Sequence, residues 1–264
     1  LSTLSMQKSQ SKVEVLKYFD FCTSAPTASA LIQQRKKISP EAFSSLFYSF
    51  TNSFSLDATL KGYDLIAVDG SDIYIPRNPT DPETYRISDK YNKGFNMLHL
   101  NAAYNLLSHL YTDVIIQPIN HINEYASICD MIDHYATTYP TRKPIFIADR
   151  GHLSFNVFAH AIENGAYFLI RAKDGNANSI LKNMTLPDSP EFNIIFEGWL
   201  TRRNTKTIKA EPSVYKSIAS RTFDYLEPKS KRLYYICFRI VSFVLPNGNT
   251  EIVFTNLPKE EFTF

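Results

Sequence analysis

The sequence predicts a mixed α/β fold, on three observations. Short apolar runs of strand composition recur between residues 61 and 119, on either side of a polar stretch. The apolar spacing then turns helical between Asn120 and Tyr139. From Ile145 to Lys173 a strand, a helix and a second strand follow with short joints, the pattern of parallel strands bridged by a crossover helix. With 264 residues, 44% of them hydrophobic and 20% charged, the chain is expected to bury a globular core. An aromatic share of 14%, from 19 Phe, 16 Tyr and one Trp, favours sheet-rich packing.

Residues 1–60 read as helical. VEVLKYFDFC repeats apolar residues three and four apart, and SPEAFSSLFYSF offers Ser39 as N-cap with Pro40 at the first helical position. Between them ALIQQRKKI sets Arg35, Lys36 and Lys37 in a row, either a basic turn that grips a phosphate backbone or a solvated triplet. YDLIAVD, Tyr63 to Asp69, has a strand's composition. Gly70-Ser71 and DIYIP follow, which fits a tight hairpin or one long bent strand. Residues 77–94 are polar and turn-rich, so a surface loop is expected. MLHLNAAYNL and YTDVIIQPI read as two further strands, and their short link predicts antiparallel neighbours.

In the helix that follows, Ile122, Tyr125, Ala126, Cys129, Ile132 and Ala136 are expected on one buried face. IFIAD is a strand. Ser154 is an N-cap, and Phe155, Phe158, Ala159 and Ile162 form a buried stripe closed by Asn164-Gly165. AYFLIRA is the parallel partner strand. Beyond Lys173, FNIIFEGWL, RLYYICFRIVSFVL and TEIVFTNL read as strands, with a turn at Asn247-Gly248. They predict a β-rich insertion or subdomain. Three antiparallel strands, a helix, a strand, a helix and a strand is the order of a ribonuclease H-like layout.

No apolar run approaches the ~20 residues that span a bilayer. The first residues, LSTLSMQKSQ, lack an apolar leader core. Cys22, Cys129 and Cys237 lie far apart with no CxxC pair, which reads as reduced thiols in a cytosolic protein. Net charge is +2, but Trp199 to Arg239 holds ten Lys or Arg against three Asp or Glu. That local +7 leaves −5 for the remainder. Such a segment is either a phosphate-binding face or a solvated loop region.

Two aspartates carry the chemical reading. Asp69 and Asp149, 80 positions apart, each end an apolar strand run. Carboxylates on rigid strand ends are hard oxygen ligands suited to Mg²⁺ or Mn²⁺, and two such ions ~4 Å apart support phosphoryl transfer. The bland alternative is a pair of aspartates that cap turns.

AVDGSD, then a strand–helix–strand unit opening with ADRG, resembles bacterial insertion-sequence transposases of the DDE class, nearest the insertion-sequence-four family. ASALIQQRKKISPEAF is similar to that family's N-terminal helical region, KGFNMLHLNAAYNLL and YTDVIIQPI to its second and third strands. ADRGH through YFLIRAK is similar to its second-aspartate block, and FTNLPKEEF to the segment before its last catalytic helix. The resemblance implies a helical DNA-binding region at 1–60, a ribonuclease H-like catalytic core at 61–175, and a β-rich insertion and return at 176–264. It implies metal-dependent cut-and-paste transposition with Mg²⁺ or Mn²⁺. Asp69 and Asp149 would be the first and second metal carboxylates, and Arg150 would face DNA or steady the site.

The family's third carboxylate lies in a helix with Tyr, Arg, Glu and Lys at fixed spacing. This chain reaches Phe264 where that helix would begin, holds no such pattern earlier, and starts with Leu. A C-terminally truncated chain is therefore expected. Glu260 and Glu261 read as the solvated start of a helix, not as substitutes.

Arg171, Lys173, Arg202, Arg203 and Lys206 are expected to contact DNA backbone, with Arg35, Lys36 and Lys37 doing so from the N-terminal region. Asp72 is expected to support the Gly-Ser turn, His152 to be structural or a DNA contact, and Trp199 to be core. The expected partners are the element's terminal inverted repeats and target DNA, bound by a dimer in a bacterial cytoplasm at the nucleoid, with no membrane. One alternative function is a catalytically dead remnant that only binds DNA. Another is a metal-dependent phosphatase, which DGSD faintly resembles, although Ser71 stands where such enzymes want a second Asp.

Overall fold

The computed structural model describes residues 11–88, 91–172, 180–181 and 184–263. The chain divides into two compact units, Leu1–Phe54 and Ser55–Phe264. In the first, α1 (Ser11–Tyr18) and α3 (Pro40–Thr51) form where apolar spacing and the Ser39-Pro40 start predict helices, and α2 (Ala28–Arg35) forms between them, ahead of the basic triplet. The Thr27 hydroxyl caps α2 by accepting from the Ala30 N–H at 3.1 Å. Ser39 and Pro40 open α3, with the Ser39 hydroxyl turned to Glu41.

The second unit is built on one ten-stranded mixed sheet. Its first strands are β1 (Asp64–Ile75), β2 (Tyr85–Ser88), β3 (Tyr91–Asn105) and β4 (Leu110–Pro118). Both β1 and β4 run antiparallel to β3. Then come α4 (Glu124–Thr138), β5 (Pro144–Ala148), α5 (Phe155–Glu163) and β6 (Tyr167–Arg171). Strand β5 lies parallel to β1 on one side and to β6 on the other. The remaining elements are β7 (Phe192–Thr201), α6 (Lys206–Ala210), β8 (Tyr215–Ser217), β9 (Leu233–Val244) and β10 (Thr250–Thr255).

Four features differ from the sequence reading or resolve it. First, Gly70-Ser71 is no hairpin. β3 pairs with β1 without a break from Ile66 to Ile75, so both residues sit inside the ladder. Second, the polar stretch 77–94 is not all loop. Tyr85–Ser88 pairs with the start of β3 at the sheet edge, with Arg86 and Ile87 exposed and Asn96 buried. Third, the buried face of α4 is rotated from the one expected. Cys129 and Ile132 are buried as expected, but Ile128, Met131 and Tyr135 join them, whereas Tyr125 is exposed. Fourth, the late strands extend the same sheet in the order β6-β10-β9-β7-β8.

The two sheet faces are unequal. Alternate residues of the central strands (Ile66, Val68, Phe146, Ala148, Phe168, Ile170) join α4 and α5 in the main core. Phe158 of α5 stacks on Phe168 at 4.3 Å between ring centroids. Ser154 caps α5 by accepting from Asn156 and Val157, and Gly165, at φ +64°, closes it with bonds from Gly165 and Ala166 back to Ile162 and Ala161. Among the described residues, the opposite face carries a small cluster of Tyr63, Ile145 and Leu257, flanked by Leu65, Ile147, Tyr167, Leu169 and Phe262.

Candidate active site

The last paired rung of β1 and β5 is Val68↔Ala148, and on β5 and β6 it is Ala148↔Ile170. One residue further along the three parallel strands stand Asp69, Asp149 and Arg171. All three follow the residues of the sparsely covered face (Leu65 and Ala67, Ile145 and Ile147, Tyr167 and Leu169), and side chains two apart share a face. Neighbouring strands lie about 4.8 Å apart, so register alone brings two carboxylates separated by 80 positions to one edge. Asp69 does not end its strand, because β1 runs on to Ile75 paired with β3. It marks the point where β1 outruns β5.

Both carboxylates are exposed and each is held by one oxygen. Asp69 Oδ1 accepts from the Gly70 N–H at 2.8 Å. Asp149 caps the short 3-10 turn Arg150–His152, its Oδ1 accepting from the Gly151 N–H at 2.8 Å. His152 Nδ1 lies 3.0 Å from the same oxygen. Among the described residues, Oδ2 of each aspartate has no hydrogen-bond partner. Arg171 pairs with Glu251 of β10 across the edge, and Arg150 is exposed in the turn.

On the other face of β1, Gly70 is pressed against His99 of β3. A Cβ there would stand 2.5 Å from His99 Nε2 and 3.1 Å from Glu124 Oε1. Only glycine allows this approach. His99 Nδ1 contacts Asp72 Oδ1 at 2.8 Å, so Asp72 engages a buried imidazole rather than bracing a turn. His99 Nε2 lies 3.1 Å from Glu124 Oε1 but out of line for a hydrogen bond. No local signal pointed to this Asp72–His99–Glu124 chain, whose members are 27 and 25 positions apart.

The basic residues are dispersed. Arg203 and Lys206 are exposed around α6, and Arg35, Lys36 and Lys37 are exposed at the end of α2 in the first unit. Arg202 is not a surface cation. Its Nε donates to Leu226 O at 3.0 Å, Nη1 to Ile218 O and Arg221 O at 3.0 and 2.6 Å, and Nη2 to Phe223 O and Leu226 O, both at 2.9 Å. That cage assigns it to holding the 218–226 loop. Lys173 lies outside the described residues. Trp199 is partly exposed on β7 and packs edge-on against Tyr235. Glu163 accepts from the Tyr234 hydroxyl at 2.8 Å. Glu261 accepts from the Tyr63 hydroxyl at 2.9 Å.

A cleft of ≈480 Å³ opens between the first turns of α4 and α5 and the 218–224 loop. On its wall His160 is clamped between Asp133 Oδ1 at 2.8 Å and Asp224 Oδ2 at 3.0 Å. Asn156 also donates to Asp224, at 2.7 Å. No group of three or more His, Cys, Asp or Glu among the described residues is placed to hold a metal ion. No helix among them is long and apolar enough to cross a membrane.

A family model for the transposase DDE domain matches residues 60–250. The chain belongs to that family. A comparison with curated proteins gives no match. Among solved structures, the piggyBac transposase synaptic complex with hairpin DNA overlaps at a TM-score of 0.39 and 7% identity, over 73% of this chain and 33% of that one. This chain thus spans about a third of the piggyBac chain it matches. Endonuclease V of Ciona intestinalis, in complex with a 24mer DNA containing an inosine followed by a ribo-adenosine, overlaps at a TM-score of 0.29 and 9% identity, over 81% of each chain.

Proposed function

We propose that this transposase domain cleaves and joins DNA phosphodiesters with a divalent metal, Mg²⁺ or Mn²⁺, using Asp69 and Asp149 as two of its metal carboxylates. One observation carries the reading. Both aspartates lie one step past the rung Val68↔Ala148, on one sheet face, and among the described residues their Oδ2 atoms have no hydrogen-bond partner. Hard, exposed oxygens on adjacent strands fit part of an Mg²⁺ or Mn²⁺ ligand set. When bound, such ions activate an attacking oxygen and stabilise the leaving one. The protein's own share is to fix the two carboxylates and to set cationic Arg150 and Arg171 beside them for phosphate.

The strand order β4-β3-β1-β5-β6, with β3 antiparallel to its neighbours and β1, β5 and β6 parallel, supports a ribonuclease H-like core followed by a β-rich insertion. The motif resemblance supports a bacterial insertion-sequence element of the insertion-sequence-four group, with its terminal repeats and target DNA as substrates and a dimer acting on two ends. In this reading the helical unit with Arg35, Lys36 and Lys37 binds DNA, as do Arg203 and Lys206.

The test is strand cleavage of duplex DNA with Mg²⁺ or Mn²⁺ by the native chain, D69A and D149A. Metal-dependent cleavage that both substitutions abolish is the expected result. Cleavage that survives both would reject the assignment. DNA binding without cleavage at any metal concentration would favour a chain that only binds DNA.

A further inference from the structure

We infer that His152 is a positioning residue for Asp149, holding one carboxylate oxygen so that the other is presented at the sheet edge. The inference rests on the reading of Asp149 as a metal ligand.

Asp149 is 62% exposed at its side chain, so nothing in its packing fixes the carboxylate. A free surface aspartate samples several rotamers, and ordering it for a ligand has an entropic cost. Here two donors converge on Oδ1, the Gly151 N–H at 2.8 Å and His152 Nδ1 at 3.0 Å. A carboxylate only accepts, so this assigns the ring proton to Nδ1. Oδ2 is then the oxygen left for a ligand.

The imidazole can act as a fixed post because it is buried. His152 is 2% exposed, whereas Arg150 at the start of the same turn points to solvent. The turn leads directly into Ser154, which caps α5, so the ring is tied to a helix packed in the main core. His152 is also an odd choice for packing alone. Its Nε2 is buried with no hydrogen-bond partner among the described residues. An apolar side chain would fill the space without that unmet polar atom. What only the histidine supplies is the donor to Asp149. Carboxylate ligands are commonly oriented by such outer hydrogen bonds, and losing one weakens metal affinity by roughly 10–100-fold.

The test is a titration with Mn²⁺ alone, read as free Mn²⁺ by electron paramagnetic resonance, on the native chain, H152L, H152N, H152Q, D69A and D149A. Melting curves on each variant establish folding. Asparagine places an N–H near the Nδ1 position, while glutamine carries its N–H one atom too far. The expected order is native and H152N within about threefold of each other, and H152L and H152Q at least about tenfold weaker. D69A and D149A lose the site. If H152L does not fold, the contrast of H152N with H152Q carries the same comparison. Native affinity in H152L or H152Q, with D149A still losing the site, overturns the positioning role alone. Unchanged affinity in both D69A and D149A overturns the metal reading beneath it.

Discussion

Val68 of β1 and Ala148 of β5 are the final partners of a parallel pair, and the residues immediately after them are Asp69 and Asp149. The site is thus set by register. A slip of one residue in either strand would turn one of its aspartates to the other face. The register is secured well below the site. Ile66 and Phe146, also partners, are fully buried in the main core, and Asp64 at the start of β1 is locked from below.

That lock yields the first prediction. Asp64 is 1% exposed and accepts from Arg142 Nε at 2.5 Å and the Tyr135 hydroxyl at 2.8 Å, with Arg142 Nη2 on its other oxygen. Arg142 also donates to Leu56 O. Asp64→Ala leaves the guanidinium and the phenol without their acceptor, and breaking a buried pair costs about 3–5 kcal/mol. Urea unfolding should register that loss for D64A and almost none for D69A, whose carboxylate is exposed. Equal midpoints for D64A and the native chain would remove Asp64 from the framework.

The second prediction concerns pH. Burial disfavours a charged His160, but its hydrogen bonds to Asp133 and Asp224 prevail and raise it above the ordinary histidine value. A raised folded value means that protonation favours the folded chain. The stabilisation is complete below about pH 6.5, the unfolded value, and fades as pH climbs through the folded one. Asp224 is held low by its hydrogen bonds from Asn156 and His160, so its share is present above about pH 3.9 and lost as pH falls through its lowered folded value. Burial, then Asp133, raises Asp130 on the same wall, so its share is present below about pH 3.9 and lost as pH rises through its own raised value, separately from that of His160. Urea midpoints of the native chain and H160Q should therefore differ more at pH 6 than at pH 8.5. A gap that stays constant or widens with pH would contradict the clamp.

Arg202 gives the third prediction. With its guanidinium on four carbonyls, R202Q should free the 218–226 loop and destabilise by about 2–3 kcal/mol or more, the scale of a few bonds from a charged donor. Trypsin should then cut faster after Arg221, which is exposed in that loop. Non-specific DNA affinity should change by less than about twofold, since this cation is already engaged. Unchanged proteolysis together with weakened DNA binding would restore Arg202 to a DNA-facing role.

Arg202 also shows where the sequence stopped being legible. A basic residue in a basic stretch reads as surface charge, and nothing local announces five donors satisfied by carbonyls 16 to 24 positions away. Gly70-Ser71 left two readings open, a hairpin or one long strand, for a related reason. Glycine punctuates turns, but here it admits the His99 ring across a ladder that only the register with β3 reveals. The rotated face of α4 is a smaller error of the same kind, since Tyr125 and Tyr135 look alike in a spacing argument and only packing separates them. The β5–α5–β6 unit was readable because every signal is local: an apolar strand, a serine cap, a stripe at helical spacing and an Asn-Gly stop. Asp69 and Asp149 were readable as carboxylates that close apolar strand runs, but β1 runs on past Asp69, and their common place one step past the last rung belongs to the folded chain.

The last prediction separates positioning charge from DNA-facing charge. Arg150 is exposed beside Asp149 and has no ion-pair partner among the described residues, whereas Arg171 is paired with Glu251. A free cation that meets a phosphate releases about one counterion, so its removal lowers the slope of log affinity against log salt by about 1. An arginine already neutralised by a carboxylate contributes less. Fluorescence anisotropy of a labelled duplex across a salt series should therefore show a shallower slope for R150Q, and a smaller change for R171Q. E251Q releases Arg171 from its partner and should steepen the slope. A slope untouched by R150Q would take this edge of the sheet out of contact with the DNA backbone, and the phosphate-binding surface would then have to lie on another face of the domain.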